Sequence, residues 1–199
     1  MAERKMICLG DGATGKTCYL IKLSSGTFPD EYVPTVFDTA EMNFTHSDSN
    51  GGKQSISLGL WDVMMRSEEA FVFLPFSMDK SHIVLLMFSV VSHVSFESIK
   101  TRWMPAVEQY QRTAPHPFVY VLVGTKTDLR DNREFIAQMG ERNANFVSPK
   151  EAEALAKELG CSYVECSALT GEGVESVVEC GLRDLDATKP RRQSKCTIL

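Results

Sequence analysis

Residues 10–17 read Gly10-Asp11-Gly12-Ala13-Thr14-Gly15-Lys16-Thr17 and fit the spacing G-x-x-x-x-G-K-[ST]. The flanks decide the fold. An apolar strand, 5–10 (KMICLG), leads in, and a helix-forming stretch, 16–25 (KTCYLIKLSS), leads out, which is the setting this spacing requires. Glycines let the backbone curl so that its N–H groups point at phosphate oxygens, and the helix N-terminus adds positive potential. In that geometry residues 10–15 form a phosphate cradle, Lys16 reaches the β/γ-phosphates and Thr17 can hold Mg²⁺. The plain alternative is a glycine-rich turn carrying a solvated lysine.

Further along, FPDEYVPTVFD (28–38) has two prolines and is too punctuated for a helix. Residues 40–45 and 55–61 alternate apolar and polar side chains and predict a hairpin across the polar HSDSNGGK turn. The runs 82–90 (HIVLLMFSV) and 118–124 (FVYVLVG) are continuous and apolar, as strands covered on both faces of a parallel sheet are. Between them Phe96, Ile99, Trp103, Val107 and Tyr110 predict one helix over 95–111. Ser148-Pro149-Lys150-Glu151 starts another helix and Gly160 ends it. A strand at 163–166 and a helix at 173–185 follow. Alternating strands and helices give a doubly wound α/β sheet.

The chain has 199 residues, 43% hydrophobic and 24% charged, which suits a single folded domain and excludes a collagen or disordered composition. The longest apolar run, 83–91, is half a bilayer span, and MAERK opens no signal peptide. A cytosolic origin is expected, with the six cysteines unpaired. Net charge is −5, yet residues 187–199 hold Lys189, Arg191, Arg192 and Lys195 and no acid, leaving −9 on residues 1–186. The body would repel nucleic acid and anionic membranes, and the tail would not. His46, His82, His93 and His116 lack ligand spacing for a metal other than Mg²⁺.

A phosphate cradle does not select a base. Thr125-Lys126-Thr127-Asp128 resembles the [NT]-K-x-D element of GTP-binding proteins, whose aspartate accepts hydrogen bonds from the guanine ring N–H and amine. Ser167-Ala168-Leu169 resembles their S-A-L/K element, whose backbone meets the guanine carbonyl. Together with GDGATGKT, FPDEYVPTVFD, Trp61-Asp62, ECSAL and the terminal CTIL, the chain resembles a Rho-family, Rac-like small GTPase over nearly its whole length. The resemblance implies a P-loop NTPase (small G-protein) fold, with a mostly parallel six-stranded sheet, helices on both faces and an insert helix at about 132–148. The G domain would be 1–186 and the basic tail 187–199.

The resemblance also implies that GTP or GDP binds with Mg²⁺, and that Cys18 and Phe28 lie beside the base. Thr35 would close over Mg²⁺ and the γ-phosphate, and Asp62 would reach Mg²⁺ through water. Asp30, Glu31, Tyr32, Val33, Pro34, Thr35, Val36, Phe37 and Asp38 would form the loop presented to effector proteins. Exchange factors and a prenyl-binding dissociation inhibitor are further implied partners of a monomer. Control of actin and cell shape is implied in the same way.

One departure bears on chemistry. Where the family reads D-T-A-G-Q, whose glycine N–H grips the γ-phosphate and whose glutamine orients the attacking water, this chain reads Asp62-Val63-Met64-Met65-Arg66. The segment to Pro75 is one residue longer than usual, and 63–75 holds neither Gly nor Gln. Hydrolysis is expected to be impaired under either alignment, and no catalytic residue is assigned. Arg66 is a solvated or partner-facing arginine sooner than a finger supplied in cis. Met64, Met65, Phe71, Phe73 and Phe76 fit either a packed helix or an altered partner surface.

Cys196-Thr197-Ile198-Leu199 is a C-a-a-X box whose leucine favours a geranylgeranyl group on Cys196, and the four tail cations supply a second membrane signal. The expectation is a GTP-binding signalling protein at the cytoplasmic face of membranes, with a cytosolic pool. The rivals are a regulated switch that still hydrolyses GTP, a P-loop kinase or ATPase, and a nucleotide-free interaction protein.

Overall fold

The computed structural model describes residues 2–29, 38–47, 52–63, 72, 74–112, 114, 116, 118–140 and 146–188. Its six strands are β1 (Ala2–Leu9), β2 (Asp38–Ser47), β3 (Lys53–Asp62), β4 (Ile83–Ser89), β5 (Val119–Thr125) and β6 (Ser162–Cys166), in the order β2-β3-β1-β4-β5-β6. Only β2 runs antiparallel, to β3. The mostly parallel six-stranded sheet is thus the one expected.

Strand periodicity divides the interior into two cores. On β1, Met6 and Cys8 face one side with Ile83, Leu85 and Met87 of β4, under the helices α1 (Lys16–Ser25) and α7 (Val174–Thr188). Ile7 and Leu9 face the other side with Val84, Leu86 and Phe88. That side is covered by α2 (Leu74–Met78), α3 (His93–Ser98), α4 (Met104–Gln111) and α6 (Pro149–Leu159). Every residue of β4 is buried, which explains its unbroken apolar run.

Local signals act where the sequence puts them. Ser148 and Glu151 form a reciprocal capping box at the start of α6, and Gly160 closes it with φ 71°. Asn132 caps α5 (Arg133–Met139), a helix in the region expected for the insert; residues 141–145 lie outside the described residues. Among the described residues all five cysteines are free.

Besides shifts of one or two residues at other element ends, three differences from expectation stand out. β1 begins at Ala2, because Glu3 and Arg4 pair with Ser57 and Leu58 of β3 despite their polarity. α7 runs on to Thr188. The single helix expected over 95–111 is split: α3 and α4 are joined by a π turn at Ile99–Trp103, where the Met104 N–H donates to the carbonyl of Ile99, five residues back.

Candidate nucleotide-binding site

The loops carrying the sequence motifs gather at the carboxyl ends of β1, β3, β5 and β6, the edge of an α/β sheet where ligands bind. After β1 the chain passes so close to β4 that a Cβ on Gly10 would lie 2.1 Å from the Met87 carbonyl oxygen. Gly15 precedes α1 with φ 93°, a conformation that penalises any side chain, and Ala13 accepts the same penalty at φ 60°.

Hydrogen bonds hold this turn from several directions. The Lys16 ammonium donates to the carbonyl oxygens of Gly10 (2.8 Å) and Asp11 (2.7 Å), folding over the loop that precedes it. The Thr14 hydroxyl also donates to the Asp11 carbonyl. From β5, the Thr125 hydroxyl donates to the carbonyls of Thr14 and Phe88. The Asp11 side chain turns away from the loop and accepts from the Trp103 indole N–H at 2.8 Å. Burial pushes the Lys16 ammonium below the usual lysine range, with the charges of Asp62 and Asp11 opposing it.

Thr17, at the start of α1, donates its hydroxyl to an Asp62 carboxylate oxygen at 2.5 Å, joining the first turn of α1 to the end of β3. A hydroxyl and a carboxylate side by side are hard oxygen donors of the kind Mg²⁺ takes, so the pair fits that ion.

Beside Gly15 opens a cavity of about 270 Å³. Cys18 and Tyr19 of α1, Phe28, Lys126 and Asp128 after β5, and Ala168 and Leu169 after β6 line it. Burial pushes the Cys166 thiol on its floor up to about 12, and raises Cys18 as well, so both are neutral at pH 7. Asp128 is aimed by the Ser167 hydroxyl, which donates to it at 2.5 Å and in turn accepts from the Thr170 N–H. The two loops are braced from outside the cavity. Arg130 makes a bidentate pair with Glu165 at 2.8 and 2.7 Å and also donates to the Val147 carbonyl, while the Tyr163 hydroxyl donates to the same carboxylate.

The structure therefore brings together residues 10–17, Cys18, Phe28, Asp62, Thr125, Lys126, Asp128, Ser167, Ala168 and Leu169. Thr125 lines the cavity, but its hydroxyl is committed to the carbonyls of Thr14 and Phe88. Sequence reasoning missed Tyr19, Leu129 and Cys166 as lining, and the Arg130–Glu165 brace. The signal for the brace was an arginine two residues after Asp128 and a glutamate two before Ser167.

Residues 30–37, including Thr35, lie outside the described residues, as do 64–71, Phe73 and the tail with Cys196. Asp38 is placed by its backbone alone, opposite Asp62 in the β2–β3 register. Of the apolar segment that follows Asp62, Val63, Leu74 and Met78 are buried while Val72 and Phe76 are 77% and 78% exposed. The described part is thus both core and surface.

A family profile described as "Ras family" matches residues 5–186. The chain is 38% identical over 202 aligned residues to "GTP-binding protein rho2" of Schizosaccharomyces pombe (strain 972 / ATCC 24843), covering 99% of this chain and 96% of that protein. With the sheet order and the loop geometry, these likenesses lead to one conclusion: the chain belongs to the Ras family and, within it, to the Rho-type small GTPases.

Proposed function

We propose that this protein is a membrane-anchored GTP-binding signalling module that holds GTP or GDP with Mg²⁺, recruits effectors through residues 30–38, and hydrolyses GTP poorly. The observation that carries the nucleotide reading is convergence. Lys16, the Thr17–Asp62 pair and a cavity faced by the Ser167-held Asp128 meet at one edge of the sheet, in the order phosphate, metal, base. Backbone amides of 12–17 and Lys16 would take the β- and γ-phosphates, Thr17 and Asp62 the ion, with Asp62 acting through water, and Asp128 the two adjacent ring donors of guanine. Mg²⁺ would offset phosphate charge. Phe28 and Leu169 would cover the ring.

Weak hydrolysis follows from residues 63–66. Without a glutamine or a glycine after Asp62, nothing at the family position orients the attacking water or offers an unhindered N–H to the γ-phosphate. Anchoring follows from the C-a-a-X cysteine, Cys196, and the four tail cations, and the dissociation inhibitor and exchange factors implied by the family would act on the same molecule.

Chromatography of nucleotide released by denaturing freshly purified protein tests the nucleotide and hydrolysis parts of this reading. GTP, retained in place of GDP, is the expected result. GDP would support the rival of a switch that hydrolyses at an ordinary rate, and an adenine nucleotide would remove the role given to Asp128.

A further inference from the structure

The π turn between α3 and α4 stands just before Pro105, which has no N–H to give the carbonyl of Thr101 and so breaks an ordinary helix there, but the proline does not decide what the side chains of the turn reach. Such turns are uncommon and concentrate at functional sites. This one ends on Trp103, whose ring is fully buried in the core on that face of the sheet, and whose N–H points out of the core to the Asp11 carboxylate. Arg102, the preceding residue, approaches the same oxygen at 3.7 Å and lies beside the indole ring. Adjacent residues on an ordinary helix point about 100° apart; here both reach one carboxylate.

Asp11 is the second residue of the glycine-rich turn. Its carboxylate is held by α3 and α4 through the π turn, while its carbonyl is what the Lys16 ammonium and the Thr14 hydroxyl hold. We propose that Trp103 and Arg102 are positioning residues for phosphate binding: they fix Asp11, and through Asp11 they fix the loop and Lys16 in the conformation that receives the β-phosphate. The inference rests on the reading of residues 10–17 as the phosphate cradle. It adds two residues about ninety positions downstream to that site, and it makes the α3–α4 turn a handle on nucleotide release. A change that draws the turn away from the loop withdraws a hydrogen bond from an anionic acceptor, and such bonds are the stronger kind.

The test compares GDP with GMP in competition against a fluorescent guanine nucleotide on the full chain at fixed Mg²⁺. GMP lacks the β-phosphate and reports the base site without the grip of the cradle. Trp103→Phe keeps an aromatic ring, smaller than the indole, and loses the donor. It should weaken GDP by about tenfold, leave GMP within about twofold, and speed GDP release by about the same tenfold. Asp11→Ala should do at least as much, since it loses the Arg102 approach too, and the double variant no more than Asp11→Ala, because the Trp103 bond is already lost there. Asp11→Asn keeps an acceptor for the indole and should restore most of the affinity.

Equal losses for GDP and GMP, or additive losses in the double variant, would reduce Trp103 to a core residue and overturn the inference. If Trp103→Phe does not fold, Asp11→Ala and Asp11→Asn read the same bond from the side of the loop. Lys16→Ala is the control. If it weakens GDP and the other variants do not, only the positioning role fails; if it leaves GDP untouched, the phosphate-cradle reading falls and this inference with it.

Discussion

Two side chains answer most directly to measurement. Asp128 presents a carboxylate whose one oxygen is bonded to Ser167, and under the proposed reading the group would meet two donors on the same ring edge. Asp128→Asn replaces an acceptor pair with one acceptor and one donor, so GTP binding should weaken by about 2–3 kcal/mol and xanthosine nucleotides should gain. Competition binding with the two nucleotides checks this, and unchanged GTP affinity would remove the main argument for guanine. His82 bears on stability instead. Its Nδ1 accepts the Lys5 N–H at 3.1 Å, across the β1–β4 junction. Burial lowers its pKa from the ordinary histidine value, and the nearby charges of Arg4 and His116 lower it further against Glu3. A depressed folded-state value means the unfolded chain takes the proton first. Stability from this group is therefore full above about pH 6.5 and declines as pH falls toward the folded value. Urea midpoints at pH 7.5 and 5.5 should show that decline, and it should shrink in His82→Gln.

Between elements, the brace formed by Arg130, Glu165 and Tyr163 links the loop after β5 to β6. Glu165→Ala strands Arg130 and frees the Tyr163 hydroxyl, so about 1–2 kcal/mol of stability should be lost, with faster release of guanine nucleotide. Nucleotide release unchanged beside a lower melting temperature would show that the brace serves the fold alone. The segment after Asp62 carries the chemical prediction. A small GTPase with its glutamine turns over at about 10⁻⁴ s⁻¹ and gains roughly 10⁵-fold from an activating protein. The parent chain should fall below the first rate and gain nothing from a Rho-type activator. Replacing Val63-Met64-Met65-Arg66 by Thr-Ala-Gly-Gln should restore single-turnover hydrolysis, provided the extra residue before Pro75 does not displace the loop. An ordinary rate in the parent would mean that another side chain orients the water, with Glu68 and Glu69 the first to test.

These elements also show what a sequence carries openly. Strands covered on both faces are legible as unbroken apolar runs, as at β4, and helix ends as caps, as at Ser148 and Gly160. A break in the helix over 95–111 was legible in Pro105, though the apolar spacing hid it; the partner of the turn, Asp11, was not, being 92 residues away. The motif loops announced Lys16, Asp128 and Ser167 through spacing and order. Tyr19 gave no such sign, since an aromatic residue on a helix face reads as core whether or not a ligand lies beside it.

For the molecule as a whole, charge separates body from tail. Residues 1–186 carry −9 and the tail +4 from side chains, so attachment to an anionic bilayer should need the tail's cations as well as a lipid on Cys196. Cys196→Ser should release the protein from membranes in fractionated cells, and neutralising Lys189, Arg191, Arg192 and Lys195 should weaken binding to anionic vesicles by about 1 kcal/mol per charge. Mass spectrometry finding an unmodified Cys196 in protein from its native host would end that prediction. The base cavity has a different consequence, one for biosynthesis. Its walls run from Gly15 to Leu169, and the serine that aims Asp128 comes from the loop after the last strand. At roughly 5–20 residues per second of translation, the glycine-rich turn leaves the ribosome well before the far wall exists. Under the proposed reading the base site is complete, and a guanine can first be captured, only once the loop after β6 has emerged and folded.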